Sequence, residues 1–258
     1  VTKKTQLTAE RQEPVAPGDD RSTLQSDTER LLATITEMVE PLGQAMPSSS
    51  EVVLHDLSRL PDSIIAVHGN VTGRRVGDPA TDLLLQRATA GNLDHMLGYR
   101  TTLPDGRNMR STTIIIRDRE GTPVAALCIN SDLSVWQSLN RIAGGMLGDD
   151  EELAKPADDA PDAPTEVFAR DVDELAAHLI HTSILEQGIP VELMKKEHKL
   201  AIVRDLQGRG IFLLRDAVEM LATSLQVTRF TIYNYLNELA DDSSAPARTP
   251  EKRKARET

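Results

Sequence analysis

Cysteine occurs once in the 258 residues, at position 128. A lone thiol excludes a disulfide framework and a cysteine-built metal site within one chain, and it suits a reducing compartment. Aromatic residues supply only 3% of the chain against 39% hydrophobic residues overall, so the cores are modest and aliphatic. No run of about 18 apolar residues exists, so no membrane span is expected. Lys3 and Lys4 are followed by no apolar stretch of the kind a secretory signal needs, and the reading is a cytoplasmic protein.

Convincing catalytic and metal-binding patterns are missing too. Gly69, Gly73 and Gly77 do not follow phosphate-loop spacing. His55 and His68 have no carboxylate or third histidine at ligand spacing, so no metal is expected. His55 and Asp56 are neighbours in a strand and point to opposite faces, a poor relay. Cys128 lies in an apolar strand and reads as core. Arg74 and Arg75 read as solvated loop charges, and His178 and His181, three apart on a helix, as surface histidines. No cofactor and no enzymatic activity are expected.

Positive charge is also scarce, with 29 basic against 40 acidic residues and a net charge of −11. Its distribution explains most of this. Between Asp149 and Glu174 eleven acids face only Lys155 and Arg170, which accounts for nine of the excess negative charges. From Lys195 onward the chain turns mildly basic, and the local field rather than the total charge decides phosphate binding.

What is present begins with residues 216–239, DAVEMLATSLQVTRFTIYNYLNEL. Val218, Leu221, Ala222 and Leu225 mark one helix face, and Asp216 with Glu219 predicts a reciprocal cap at its start. Residues 224–227 make a bend, with Gln226 where a glycine is usual. Thr228 caps a second helix whose Ile232, Tyr235, Leu236 and Leu239 face inward. Arg229, Phe230, Thr231, Tyr233, Asn234 and Asn237 are left outward or on the flank. Hydroxyls, amides, aromatics and a guanidinium in the first turns suit base-edge and phosphate contacts in a major groove. The expected nucleic-acid set is Thr228, Arg229, Phe230, Thr231, Tyr233 and Asn234, with Lys195 and Lys199 on phosphate.

Taken in order, residues 1–22 read as a disordered leader. Ser26 and Glu29 predict a capping box for a helix carrying Leu31, Ile35, Met38 and Leu42, ended near residue 40 by Pro41. Strands are predicted at 51–55, 63–70, 97–103, 108–117 and 123–130, with Asp105-Gly106 and Glu120-Gly121 as hairpin turns. A helix capped by Asp78 with Pro79 at its first position follows the second strand, and a helix over 133–146 closes the unit. The sum is an α+β domain, residues 23–147, with helices on one side of an antiparallel sheet. Residues 148–165 are an acidic Pro/Ala linker. Helices over 166–187 and 195–206 precede the helix pair in an all-α domain, 166–240, and 241–258 form a disordered tail containing basic residues.

Strand alternation suggests a pocket. Ile64, Ala66, His68 and Asn70 share one face of the second strand; Val53 and His55 share one in the first; Val124, Ala126, Cys128 and Asn130 share one in the last. If these faces coincide, His55, His68, Asn70 and Asn130 rim an apolar pocket that Tyr99, Ser111 and Thr113 can join. Such a site suits a small polar ligand with an amine or a carboxylate.

The segments VVLHDL (52–57), VTGRRVGDPATDLLL (71–85), DGRNMRSTTIIIRDREGTPVAALCIN (105–130) and the final helix pair together resemble the YheO-like PAS regulators, the family that includes the D-arginine utilisation repressor. The resemblance spans about residues 25–145 and 170–240. It implies a bacterial transcription regulator with a PAS-like sensor, a C-terminal helix-turn-helix and no catalysis. The expected partners are double-stranded DNA, a small-molecule effector such as an amino acid, and a second copy of the chain, with no membrane. Two other readings stay open: a small-molecule enzyme, and a constitutive DNA-binding protein whose PAS domain only dimerises.

Overall fold

The computed structural model describes residues 20–103, 105–147 and 166–244. The first unit is a five-stranded antiparallel sheet of β1 (Ser50–Asp56), β2 (Ile64–His68), β3 (Met96–Thr102), β4 (Asn108–Arg117) and β5 (Pro123–Asp132), in the order β2-β1-β5-β4-β3. The predicted strands are recovered to within one or two residues, and the Asp105-Gly106 hairpin brings the Leu103 amide to the Arg107 carbonyl at 2.9 Å.

Both faces of the sheet are covered, where the sequence reading put helices on one side. Helix α1 (Asp20–Gln44) lays Leu32, Ile35, Val39 and Leu42 on Val52, Leu54, Ala125, Leu127 and Ile129. On the opposite face Ala126 and Ile115 meet Leu84 of α2 (Asp82–Thr89). Alternation therefore runs apolar on both sides of β5, a strand buried twice.

Helix α1 departs from expectation at each end. It is already helical at Asp20, so Ser26 and Glu29 lie inside it rather than at its cap, and Pro41 does not stop it. Pro41 sits in the last turn, where its carbonyl still accepts from the Ala45 amide at 3.1 Å. Met38 of the predicted stripe is exposed, and Val39 takes the buried place. The stripe turns because the contact is with a sheet rather than a second helix. At Gly43 a Cβ would run into the His68 ring, so the close approach of α1 to β2 needs glycine. The next helix starts later than predicted: Thr81, not Asp78, is the cap of α2, its hydroxyl accepting from the Leu84 amide at 3.3 Å. The Asp78 carboxylate instead binds the Arg75 amide at 2.7 Å.

Helix α3 (Ser134–Leu147) closes the first unit. The predicted linker at 148–165, the leader up to residue 19 and the tail beyond residue 244 lie outside the described residues. The second unit is all-α: α4 (Val172–Glu186), α5 (Lys196–Gly208), α6 (Ala217–Ser224) and α7 (Arg229–Ser244). Leu175, Leu179, Ile202, Leu206, Leu221, Leu225 and Ile232 form its core. Helix α4 begins at Val172, six residues later than predicted, because the Asp171 carboxylate accepts from the Glu174 amide at 2.7 Å and starts the helix there. Residues 166–169 are left irregular.

The two units touch. Leu85 of α2 is fully buried in the core of the helical unit. Gly210, at φ 81°, brings its backbone so close to Thr89 that a Cβ would meet the hydroxyl. No helix among the described residues is long and apolar enough to cross a membrane.

Candidate functional site

Two places gather chemistry. The first is the sheet face away from α1. Antiparallel partners point to the same side, so the pairs Val53–Cys128, His55–Ala126, Glu51–Asn130, Thr113–Cys128, Ser111–Asn130 and Tyr99–Ser111 define one surface. Of the predicted ligand set, His55, Tyr99, Ser111 and Asn130 lie on it. His68 and Asn70 do not. A β-bulge between Leu54 and His55 pairs Leu54 with Ala66 but His55 with Ile64. That extra residue leaves Ile64 on the His55 side and turns Ala66 and His68 toward α1. A one-residue slip reverses a strand's faces, which simple alternation cannot foresee. Asn70 lies beyond the strand and is exposed.

The polar groups on this face are buried and mostly satisfied by one another. Glu51 accepts from the Val71 and Thr72 amides, both at 3.0 Å, from the Thr72 hydroxyl at 2.7 Å and from the Asn130 amide at 3.3 Å. It thereby fastens the 71–74 loop to the sheet. Asn130 is spent on that task, and Ser111 on the Thr101 hydroxyl at 2.9 Å. His55 binds the Ser63 hydroxyl through Nδ1 at 2.9 Å. Burial, with the Arg74 charge, holds its imidazole well below the ordinary range, so it is neutral. Cys128 is buried as predicted, and burial pushes its thiol up to about 12, an inert state.

Two residues that sequence reasoning assigned elsewhere complete the face. Arg74 is not a solvated loop charge: it is 3% exposed, with its guanidinium 5.0 Å over the Phe168 ring. Glu166, counted in the acidic stretch, is buried, accepting from the Thr81 hydroxyl at 2.6 Å and the Tyr99 hydroxyl at 3.1 Å. Phe168, inside the helix predicted over 166–187, packs in an irregular segment against Val71, Leu103 and Met109. The Val167 amide donates to Asp82 at 2.7 Å. Burial raises the Glu166 carboxyl above its usual range despite the two hydroxyls and Arg74. Only one sign of this was available beforehand: Phe168 is a lone aromatic after a proline-rich run. Among the described residues, His55 Nε2 and Arg74 Nη1 are buried with no hydrogen-bond partner. No group of three metal-ligating side chains occurs among them either.

The second place is the outer side of α7. Thr228 caps the helix as predicted, its hydroxyl accepting from the Thr231 amide at 3.2 Å and lying 2.9 Å from the Thr231 hydroxyl. Gln226, in the turn, adopts φ 53°, the left-handed conformation that favours glycine, and its amide donates to Glu192 at 3.0 Å. The bend therefore keeps its shape with a different residue. Asp216 also sits at φ 57° and makes no side-chain cap, contrary to the predicted box; its carbonyl accepts from the Glu219 amide at 2.9 Å.

Phe230 is 72% exposed, Tyr233 53%, and Arg229, Thr228 and Asn234 are exposed, with Thr231 half-buried. Arg229 makes one ion pair with Glu219 at 3.5 Å, both ends largely in solvent, a contact of little strength that a phosphate can displace. Lys195 is exposed at the start of α5. Lys199 is engaged differently from its expected phosphate role: its ammonium donates to the Leu225 carbonyl at 2.8 Å and closes the C-terminal end of α6.

Residues 26–147 match the model of a YheO-like PAS domain, and residues 175–237 that of an HTH domain. YheO of Escherichia coli (strain K12) is 30% identical over 225 residues, covering 85% of this chain and 89% of that protein. The transcriptional regulator DauR of Pseudomonas aeruginosa is 31% identical over 194 residues, 74% of this chain and 86% of its own. A Haemophilus influenzae protein is 26% identical over 226 residues, 87% of this chain and 98% of its own.

Proposed function

The chain belongs to the family that joins a YheO-like PAS domain to a C-terminal HTH domain, and on that premise we propose that it is a DNA-binding transcriptional regulator whose PAS-like unit senses a small polar metabolite. The observation that carries the DNA-binding half is the outer face of α7. Phe230 and Tyr233 stand in solvent beside Arg229, Thr231 and Asn234, an arrangement costly to leave bare and suited to a groove. Asn234 and Arg229 read base edges or phosphate, and Thr228 and Tyr233 set the helix on the backbone.

The sensing half is supported by the buried polar face with two buried nitrogens, His55 Nε2 and Arg74 Nη1, that lack partners among the described residues. A homodimer is supported by α3, where Val135, Leu139, Ile142 and Met146 recur at three- and four-residue spacing and all are exposed. Two copies joined there present two α7 helices to successive major grooves of a near-palindromic site. The effector acts only through a difference in affinity between two arrangements of the units. No step of this function calls for catalysis, and the chain is read as a regulator rather than an enzyme.

The test is a gel-shift series on selected operator sequences. Asn234→Ala should cost about 1–3 kcal/mol of discrimination at one base position. Arg229→Ala should reduce the slope of log K against log salt by about 0.9 if it neutralises one phosphate. Unchanged sequence preference and unchanged salt slope in both variants refute the interface.

A further inference from the structure

The first described residues after the predicted linker lie on the PAS-like unit. Residues 166–169 leave the region between the units and place Glu166 against Thr81 and Tyr99 and Phe168 under Arg74. The next residues, Arg170 and Asp171, lead into α4 of the helical unit, which Asp171 caps. So the polar face described above is completed by the segment that leads into α4.

The charges in this face define the ligand. Among the described residues His55 Nε2 and Arg74 Nη1 are buried and lack partners; Arg74 is a donor only, and His55 Nε2 is a donor in the tautomer whose Nδ1 accepts from the Ser63 hydroxyl. In that tautomer the two orphaned nitrogens call for an acceptor, and a carboxylate satisfies both. Yet the interior already holds Glu51 and Glu166 against one guanidinium. A third carboxylate would leave a larger uncompensated buried charge, so the ligand must bring its own cation. Glu51 has four donors directed at it and no need of another. Among the described residues each Glu166 oxygen accepts a single hydrogen bond, which leaves it a further lone pair. Glu166 also sits on an irregular segment, which can adjust while the sheet stays fixed.

We propose, deepening the sensor reading above and resting on it, that the His55–Arg74–Glu166 cluster is the effector site and takes a small zwitterion, its carboxylate on Arg74 and His55 and its ammonium on Glu166. Glu166 is then the residue through which occupancy reaches α4. Arg74 and His55 hold the ligand to the sheet. Glu166 follows the ammonium, and the Val167 contact to Asp82 and the Asp171 cap carry the displacement into the helical unit.

The experiment is thermal shift and calorimetry on the full chain with the proteinogenic amino acids as zwitterion probes. For each that responds, its decarboxylated amine and its N-acetyl derivative are matched probes, and neutral polyols are a separate arm. The zwitterion should bind at least tenfold more tightly than either matched probe. Glu166→Gln should weaken the zwitterion tenfold or more and leave the N-acetyl probe unchanged. Tyr99→Phe, which removes one bond to Glu166 and no charge, should keep the preference. Binding of the amine or the N-acetyl form as tight as the zwitterion, or indifference of zwitterion binding to Glu166→Gln, overturns the proposal. A response to polyols or plain carboxylates alone overturns it while leaving the sensor reading intact. Silence in every arm overturns both.

Discussion

Glu166→Gln offers a clean test of the buried face without any ligand. The carboxyl is 5% exposed and accepts two hydroxyl donors, and burial raises its pKa in the folded chain. For a carboxyl raised on folding, the unfolded chain ionises first as pH climbs from about 4, so stability is greatest at low pH. It is lost as pH rises toward the folded value, and beyond that the full penalty stays. Glutamine keeps the shape and never ionises, and the Thr81 and Tyr99 hydroxyls can rotate to suit its amide. Relieving one buried, incompletely paired charge should return about 1–3 kcal/mol at pH 8. For a chain near this length that is a rise in Tm of roughly 2–10 °C. The gain should shrink toward zero near pH 4. Melting curves of wild type and variant across pH 4–8 measure it. A loss of stability that grows from pH 4 to pH 8 would show that Glu166 is held as a paired carboxylate by Arg74, and the electrostatic account of the site would fail.

Lys199→Met removes a charge-assisted bond to the Leu225 carbonyl and should lower stability by about 1–2 kcal/mol, seen by urea unfolding. It should leave the salt slope of DNA binding unchanged, whereas a phosphate contact would take about 0.9 from that slope. His55, held neutral by burial, makes stability fall as pH drops below about 6.5 toward its lowered folded value; His55→Gln should flatten that limb of the melting profile, and an unchanged limb would place the titration elsewhere. Ile142→Glu puts a charge in the exposed stripe of α3 and should give a monomer by analytical ultracentrifugation with unchanged melting of the monomer; a persistent dimer would move the interface elsewhere.

Much of the organisation was legible because it depends on local rules. Periodicity of two placed the five strands, periodicity of 3.6 placed the helix pair, and the Thr228 cap followed from turn chemistry. The outer face of α7 was readable for the same reason: once Ile232, Tyr235 and Leu239 are inward, the remainder must be outward. The pocket was read in part. His55, Tyr99, Ser111 and Asn130 converge as alternation implied. His68 does not, because one bulged residue in β2 reverses the faces.

What the sequence by itself determined is the set of elements, their amphipathic sides and the family those segments belong to, since each depends on residues a few positions apart. What only the tertiary structure decided is which distant charges meet. Arg74 and Glu166 stand in polar segments that a local rule assigns to solvent. They are buried because the sheet face between them offers Thr81, Tyr99 and the Phe168 ring at the right distances. Burial of a charge is set by the partners that surround it across 92 residues of chain, and no local pattern encodes that sum.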